Sequence, residues 1–415
     1  SPRRRRCSFP SSSRSLNGSR RSTGEHTGSE RSGPSNPAGG HYGPQVMITV
    51  EEFQAEAHDW LATNGHDAPR DYGAICPPAL VEAGLAWHRR VNAAGYAGIH
   101  WPVEHGGRGL TPEHNAAWLL ECALAGVPPI FNMVGLVLTG GALLRYGTDE
   151  QKAQHLAATL AGDHVWCQLF SEPGAGSDLG GLATKAERDG DRFVVNGQKV
   201  WCSGGRYSNW GILMARTDPE AKKHEGISFF VFPMHLPGVE IRPLKQMTGE
   251  AEFDEVFFTD VQLPADHLIG PLHGGWGVGM SVLTNERGHI GTAVIGLERR
   301  LEAMARMADG KELHPVERQR LATLLTTGQA YKAMAQRQGP QAGTAASLMK
   351  LGITEMMFTS SMLRGDLSGA DAMLEGPESF AMLAAPGGRI AGGTSQVQRN
   401  IIGERLLGLP REPKA

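Results

Sequence analysis

No apolar run in this chain approaches the roughly 18 residues of a helical membrane span. Charge of one sign is not in excess either. Against 43 Asp and Glu stand 40 Lys and Arg, a net of −3, so no basic field is present to recruit nucleic acid. The five cysteines (Cys7, Cys76, Cys122, Cys167, Cys202) are odd in number and form no Cys-x-x-Cys pair. That usage fits a reducing compartment and a cytoplasmic protein, and it excludes both a disulfide frame and a zinc site of that type. His100 and His105 flank Trp101-Pro102-Val103-Glu104 without a His-x-x-x-His or Glu-x-x-His pair, and no metal site is expected. Gly174-Ala175-Gly176 lacks the third glycine of a dinucleotide fingerprint, and no βαβ alternation surrounds it. A phosphate loop ending in Gly-Lys-Ser/Thr is also missing.

Lysine is absent from Ser1 to Val46, which holds eight Arg, two Glu and a mass of Ser, Gly and Pro. Residues 1–46 have too few large apolar groups to offset the entropy of ordering, so a disordered tail is expected. Three origins fit: an organellar transit peptide, which would imply the mitochondrial matrix; a solvated tail for acidic partners; or an upstream, mis-assigned start. The third is favoured, because MITVEEFQAEAHDWL begins at the first methionine, Met47, and places Thr49 and Glu52 at capping-box spacing.

The length predicts more than one core, and the hydrophobic period changes twice. Over 47–162 it is helical: Phe53, Ala57, Trp60 and Leu61 recur at three and four residues. Further helices are expected near Pro78–Ala94, Pro112–Ala125, Asn132–Tyr146 and Glu150–Ala161. Over 163–273 the period drops to two and Gly, Asn and Pro crowd the breaks. Strands are expected at Arg192–Val195, Asn209–Arg216, Gly226–Phe232, Val239–Pro243 and Glu252–Phe258, in a barrel or sandwich. Over 274–415 long helices return at Val278–Ala308, Pro315–Gln338, Ala342–Leu363 and Gln396–Leu406. The fold class is α+β, a β domain between a helical domain and a helical bundle.

Chemistry concentrates in Trp166 to Asp218, WCQLFSEPGAGSDLGGLATKAERDGDRFVVNGQKVWCSGGRYSNWGILMARTD. Ser171 and Ser177 bracket a Pro-Gly turn whose N–H groups and hydroxyls suit a polar cofactor edge or a phosphate. Thirty residues on, Trp201 and Ser203 place a flat ring beside a hydroxyl at a strand end, which fits one face of a flavin. The other reading of Trp201 is a strand residue filling the core.

SEPGAGSD, then NGQKVWCSGG and LMARTD, resembles the flavin-binding middle domain of the acyl-CoA dehydrogenases. The likeness continues through GYAGIHWPVEHGGRGL, YGTDEQKAQHL, GEAEFDEVFFTDVQLP and GGTSQVQRNIIGERLLGLPR, covering roughly Met47 to Arg411. It implies FAD, an acyl-CoA substrate, an electron-transfer flavoprotein as acceptor, and a homo- or hetero-tetramer. It also implies an elimination in which a carboxylate takes the α-proton of the thioester while the β-hydrogen leaves as hydride.

The commonest form of the family carries that carboxylate just before Gly-Thr. Here the segment is Ala391-Gly392-Gly393-Thr394, with none. The family's alternate position, in a Leu-Glu-Arg motif, corresponds to Asn285-Glu286-Arg287. At about 100° per residue, Val282, Leu283, Ile290, Ala293 and Leu297 share a helix face with Glu286. Gly279 on that face is expected to leave room for a ligand. A carboxylate on such a face is costly unless used or paired, and burial there raises its pKa toward a base's working range. The alternative pairs Glu286 with Arg287 or His289 to lock the helix.

By the same resemblance the Gly392 N–H clamps the thioester carbonyl, an oxyanion-hole effect, and the missing side chain widens the pocket. Ser171 bonds the flavin pyrimidine edge, with Phe170 contributing backbone beside it. Trp201 packs on the ring system, and Ser203 donates near N5. Ser177 contacts the CoA side, and Arg287 supports the carboxylate or the CoA. Thr394 and Gln396 hold the diphosphate and adenine side of FAD. Arg306 retains the first position of Arg-x-x-Phe-Gly, a motif that reaches a neighbouring subunit's FAD, but Asp309 replaces its Phe. The Gly-Gly-x-Gly turn is also obscure around Gly365–Ala372. These departures keep open a half-site or non-catalytic subunit of a hetero-oligomer; a flavin monooxygenase on the same fold is the other alternative, which loss of Glu286 would favour and its presence does not.

Overall fold

The computed structural model describes residues 48–70, 75–288, 290–335 and 342–411, with the side chains of 284–295 and 342–345 outside that description. Residues 1–46 and Met47 also lie outside it.

The first helix, α1 (Val50–Asn64), starts on the reciprocal cap its sequence specifies. Glu52 N–H donates to Thr49 Oγ1 at 3.2 Å, and Thr49 N–H donates to Glu52 Oε2 at 2.9 Å. Its Phe53, Ala57 and Leu61 pack with Trp87 and Val91 of α2 (Val81–Ala93) and Trp118 and Cys122 of α3 (Pro112–Ala125). Tyr96 stacks on Trp118, ring centroids 4.4 Å apart. The helix expected over Asn132–Tyr146 is a π-helical turn at Val134–Thr139 that continues into α4 (Gly140–Tyr146). α5 (Asp149–Ala161) ends in a left-handed Gly162.

Eight strands follow in one hydrogen-bonded sheet: β1 (Trp166–Leu169), β2 (Lys185–Asp189), β3 (Arg192–Ser203), β4 (Trp210–Arg216), β5 (Ile227–Pro233), β6 (Val239–Leu244), β7 (Phe253–Pro264) and β8 (Leu268–Ile269). Their order is β6-β7-β3-β2-β4-β5-β8, with β1 parallel to β4. The sheet curls over on itself. β7 and β5 stand at opposite ends of the run β7-β3-β2-β4-β5, yet Phe258 and Phe232 meet at 5.1 Å between centroids. Phe193 of β3 likewise meets Phe230 of β5 at 5.0 Å.

The inner core between them holds Leu169, Phe193, Val195, Leu213, Phe230, Phe232, Val256 and Val261. β4 and β5 are also covered on their other face. Ile212, Met214, Ile227, Phe229 and Val231 pack with Leu136, Leu143 and Leu160 of the helical layer and with Val278 and Val282. Covered on both sides, these two strands are apolar along almost their whole length.

Val278 and Val282 belong to α6 (Gly275–Gly288), which leads toward α7 (Ile290–Ala308). α7, α8 (Pro315–Ala335) and α9 (Ala342–Ser368) enclose a fourth core of Leu297, Leu301, Met304, Leu324, Ile353, Met356 and Leu363. α10 (Pro377–Gly388) and α11 (Ser395–Ile401) pack on α9. Gly365–Ala372 runs from the last turn of α9 into a 3-10 turn at Gly369–Met373.

Elements without a clear sequence signal have identifiable reasons for it. β1 is largely buried, so alternation is lost. β2, KAERD, buries only Ala186. α10 contains Pro386 and ends in paired glycines that read as breakers.

Candidate flavin and thioester site

The loop after β1 is built around one acid. Glu172 N–H donates to Ala175 O at 3.1 Å and Ala175 N–H returns to Glu172 O at 3.0 Å, closing a tight turn over Pro173 and Gly174. The buried Glu172 carboxylate accepts from Ala183 N–H at 2.6 Å, Thr184 N–H at 2.9 Å and Lys199 Nζ at 2.7 Å. Lys199 is fully enclosed on β3 and also donates to the Phe170 carbonyl at 2.9 Å. Burial works against the charge on Glu172, but Lys199 and the N–H donors outweigh it and hold the carboxyl below its ordinary range. Burial likewise pulls the Lys199 ammonium down, with Glu172 opposing.

This pair was not anticipated from the sequence. The available signal was parity: Lys199 falls on the inward phase of a strand whose Phe193 and Val195 are core residues.

Val200 N–H donates to Ser171 O at 2.9 Å, which brings Ser171 beside Trp201. A register shift between Lys199 and Cys202 inserts one extra residue against β7, and Trp201 takes φ +61° there. A bulge re-aims a side chain in this way, and a bulky residue in the left-handed region carries backbone strain. The indole is 54% exposed and, among the described residues, its one ring contact is edge-on to Phe253 at 5.6 Å. Trp201 is therefore not core filler. Ser203 closes β3, half-buried, before a left-handed Gly204. Ser177 is exposed, and a side chain added at Gly174 or Gly176 would meet nothing within 4 Å. Phe170 itself is buried. Phe170, Ser171, Trp201 and Ser203 thus lie together: a bared ring, two hydroxyls and an open glycine turn, which fit a flat polar cofactor such as FAD.

The second group of expected residues lies in the bundle. Gly392 and Gly393 form a turn with φ +64° and +95°, a conformation that favours glycine. Gln398 Nε2 donates to Gly392 O at 3.1 Å and Lys350 Nζ to Gly393 O at 2.6 Å. Both carbonyls are thus engaged, while the Gly392 N–H has no acceptor among the described residues. Thr394 spends its hydroxyl on capping α11, accepting from Val397 N–H at 3.2 Å, and Gln396 is exposed. Glu355 of α9 accepts from Ser395 at 2.7 Å and from Arg389 at 3.1 Å, and is held below the ordinary carboxylate range despite partial burial. Arg306 is exposed, 3.8 Å from Glu302. No described hydrogen bond or ring contact joins Arg306, Thr394 or Gln396 to the Trp201 group.

Glu286 lies on α6, where its backbone is described; its side chain, and those of Arg287 and His289, lie outside the described residues. α6 carries Val282 into the core shared with the sheet, whereas Leu297 on α7 belongs to the bundle core. Glu286 therefore falls between two cores along the chain. α9 packs against both α6 and α11, so one element supports both the Glu286 helix and the Gly392 turn. The expected space at Gly279 does not exist. A Cβ there would lie 2.8 Å from Met214 Sδ, because the missing side chain lets α6 press onto β4.

Three domain families cover almost all of the described chain: acyl-CoA dehydrogenase, N-terminal domain, at 50–163; middle domain, at 167–261; and C-terminal domain, at 273–407. The acyl-CoA dehydrogenase IpdE1 of Mycobacterium tuberculosis is 38% identical over 392 residues, 89% of this chain and 100% of that protein.

The chain belongs to the acyl-CoA dehydrogenase family.

Among solved structures, the Tcur3481-Tcur3483 steroid ACAD is 27% identical with a TM-score of 0.75, over 88% of this chain and 98% of that one. The ChsE4-ChsE5 complex of Mycobacterium tuberculosis is 29% identical with a TM-score of 0.71, over 89% of this chain and 100% of that one. This acyl-CoA dehydrogenase is an FAD-dependent oxidoreductase acting on a CH–CH bond. Among the described residues no helix is long and apolar enough to cross a membrane.

Proposed function

We propose that Glu286 is the catalytic base and Gly392 the carbonyl clamp of a dehydrogenation that installs a Cα=Cβ bond in a bulky, steroid-type acyl-CoA. Bound FAD supplies the acceptor for the β-hydrogen and its electron pair. The Glu286 carboxylate takes the α-proton, and the Gly392 N–H donates to the thioester oxygen as negative charge builds there. Phe170 and Ser171 hold the flavin's polar edge, Trp201 packs on its face, and Ser203 donates near N5. Ser177 and Arg287 serve the CoA side; Arg306, Thr394 and Gln396 serve the rest of FAD. The observation that carries this reading is the exposed, strained Trp201 fixed beside Ser171.

A bulky acyl group is supported by the missing side chain at Gly392 and by the likeness to a steroid ACAD. We assign boundaries near residues 46, 162 and 273, cytoplasmic placement, and reoxidation by an electron-transfer flavoprotein. A tetramer, with a second dehydrogenase-type chain as partner, is supported by α10. None of its residues is buried within the chain, and Phe380, Leu383 and the nearby Met373, Leu374 and Ile390 are exposed. The complexes named for Tcur3481-Tcur3483 and ChsE4-ChsE5 each pair two chains.

The test is to purify the full chain alone and with its co-produced partner, measure FAD per chain and native mass, and assay an acyl-CoA panel with an artificial acceptor. Turnover of polycyclic acyl-CoAs well above that of straight-chain ones is expected. A chain that holds no FAD in either state, or that prefers straight chains, overturns the reading in favour of a half-site subunit or a different substrate class.

A further inference from the structure

Lys199 and Glu172 do more than close a charge balance. The Lys199 ammonium binds the Phe170 carbonyl at 2.9 Å and Glu172 Oε1 at 2.7 Å, so one cation from β3 grips the residues on both sides of Ser171. The Glu172 carboxylate then grips Ala183 and Thr184, the two residues that lead into β2. Val200 N–H holds Ser171 itself, and the next residue is Trp201 in its bulge. The loop is therefore fixed by five directional bonds around a single buried pair, three to the strained strand segment and two to the residues that lead into β2.

Stability alone does not call for this arrangement. A buried ion pair is often no better for the fold than well-packed apolar residues of similar volume. An apolar pair, however, leaves the Phe170 carbonyl and the Ala183 and Thr184 N–H groups without directional anchors. A Cβ added at Gly174 or Gly176 would meet nothing within 4 Å, so the turn is open on that side.

We propose that Lys199 and Glu172 are positioning residues for FAD: they preform the surface on which the Phe170 backbone, the Ser171 hydroxyl and the Trp201 indole meet the flavin. This rests on placing the flavin against Ser171 and Trp201. Neither Lys199 nor Glu172 touches the flavin; each acts through the loop it ties down. Preorganisation lowers the ordering that binding must otherwise supply.

The experiment uses the full chain, in FAD-free form, with FAD added and flavin fluorescence quenching as the readout. Four variants are compared: Lys199→Met with Glu172→Leu, Glu172→Gln alone, Trp201→Ala, and Ser171→Ala. In the apolar double variant FAD affinity should fall about 10–100-fold, the range for losing an outer-shell support, and by more than any loss of melting temperature of the FAD-free protein accounts for. Glu172→Gln keeps one acceptor for Lys199 but loses an acceptor for an N–H, and its affinity should fall severalfold. Its flavin absorption band should also shift relative to the parent.

If the double variant does not fold, Glu172→Gln decides by the same criterion. Unchanged FAD affinity in the pair variants, with loss in Trp201→Ala or Ser171→Ala, overturns the positioning role and leaves the flavin placement standing. Unchanged affinity in all four overturns the placement itself. A drop in melting temperature of the FAD-free protein that accounts for the whole loss of affinity also overturns the proposal, since it marks a purely structural pair.

Discussion

Gly275 rests directly on Ser228. A Cβ on Gly275 would stand 2.3 Å from the Ser228 carbonyl carbon and 2.5 Å from Phe229 N, so the first turn of α6 lies in backbone contact with β5. Four residues later Gly279 faces the Met214 thioether of β4, 2.8 Å from where its Cβ would stand. Two small residues one turn apart thus seat the helix that carries Glu286 on the sheet that carries Trp201. Gly275→Ala should force them apart and destabilise the protein by about 1–3 kcal/mol, the usual range for overpacking. Turnover should fall with it. Gly277→Ala is the control, because its Cβ would meet nothing within 4 Å and alanine favours helix. Thermal melts and steady-state rates of both variants check this; equal melting temperatures would show that α6 tolerates displacement.

Glu286→Gln preserves size and polarity while removing the proton acceptor. FAD content and acyl-CoA binding should persist, and the rate of flavin reduction should drop about 10²–10⁴-fold. Stopped-flow reduction under anaerobic conditions measures it. Adding Gly392→Glu in that background places a carboxylate at the commoner position and should restore part of the rate. Near-normal reduction in the single variant would rule out Glu286 as base.

Trp201→Ala and Ser203→Ala should separate cleanly. Loss of the indole removes stacking area, so FAD retention on gel filtration should fall. Loss of the hydroxyl should slow reduction more than it raises KM. A Ser203→Ala variant altered only in KM would mark Ser203 as a turn residue.

His88 gives a pH signature independent of catalysis. Its Nε2 lies 3.0 Å from the Leu160 carbonyl, an acceptor only, so Nε2 carries the hydrogen and the bare Nδ1 is buried without a partner. Burial first, then the nearby Arg89 charge, lowers its pKa to about 4. The unfolded chain therefore binds a proton below about 6.5 that the folded chain refuses until about 4. Stability is complete above the upper value and declines as pH falls through that window, by about 3 kcal/mol for this group. His155, also lowered to about 4 by burial and by His164, adds a decline of the same sign. His88→Gln keeps a donor for Leu160 and should flatten, but not abolish, the fall in melting temperature between pH 7 and 4.5. A curve as steep as the parent's would contradict the buried neutral tautomer.

The order helix, sheet, bundle was legible in the sequence because each layer buries its own period. Phe53, Ala57, Trp60 and Leu61 can share a core as a helix but not as a strand, which would turn Trp60 the other way, and Phe193 and Val195 share theirs at the spacing of a strand. The Thr49 cap was readable for the same reason: its partners lie three residues apart. The group proposed for the flavin side could be picked out as a string, since Ser171, Trp201 and Ser203 come from one short stretch.

What the string does not contain is how that stretch folds onto itself. Lys199 and Glu172 are 27 residues apart, and each alone looks like a solvated charge. Only the curl of the sheet removes water from both and makes each the other's necessary partner. The space at Gly279 went the opposite way. One helix face suggested a vacancy, and Met214, 65 residues earlier, fills it. Local periods determine which residues turn inward. Which residue from a distant segment meets them there is decided by packing, because contacts between layers depend on register and approach that no single segment encodes.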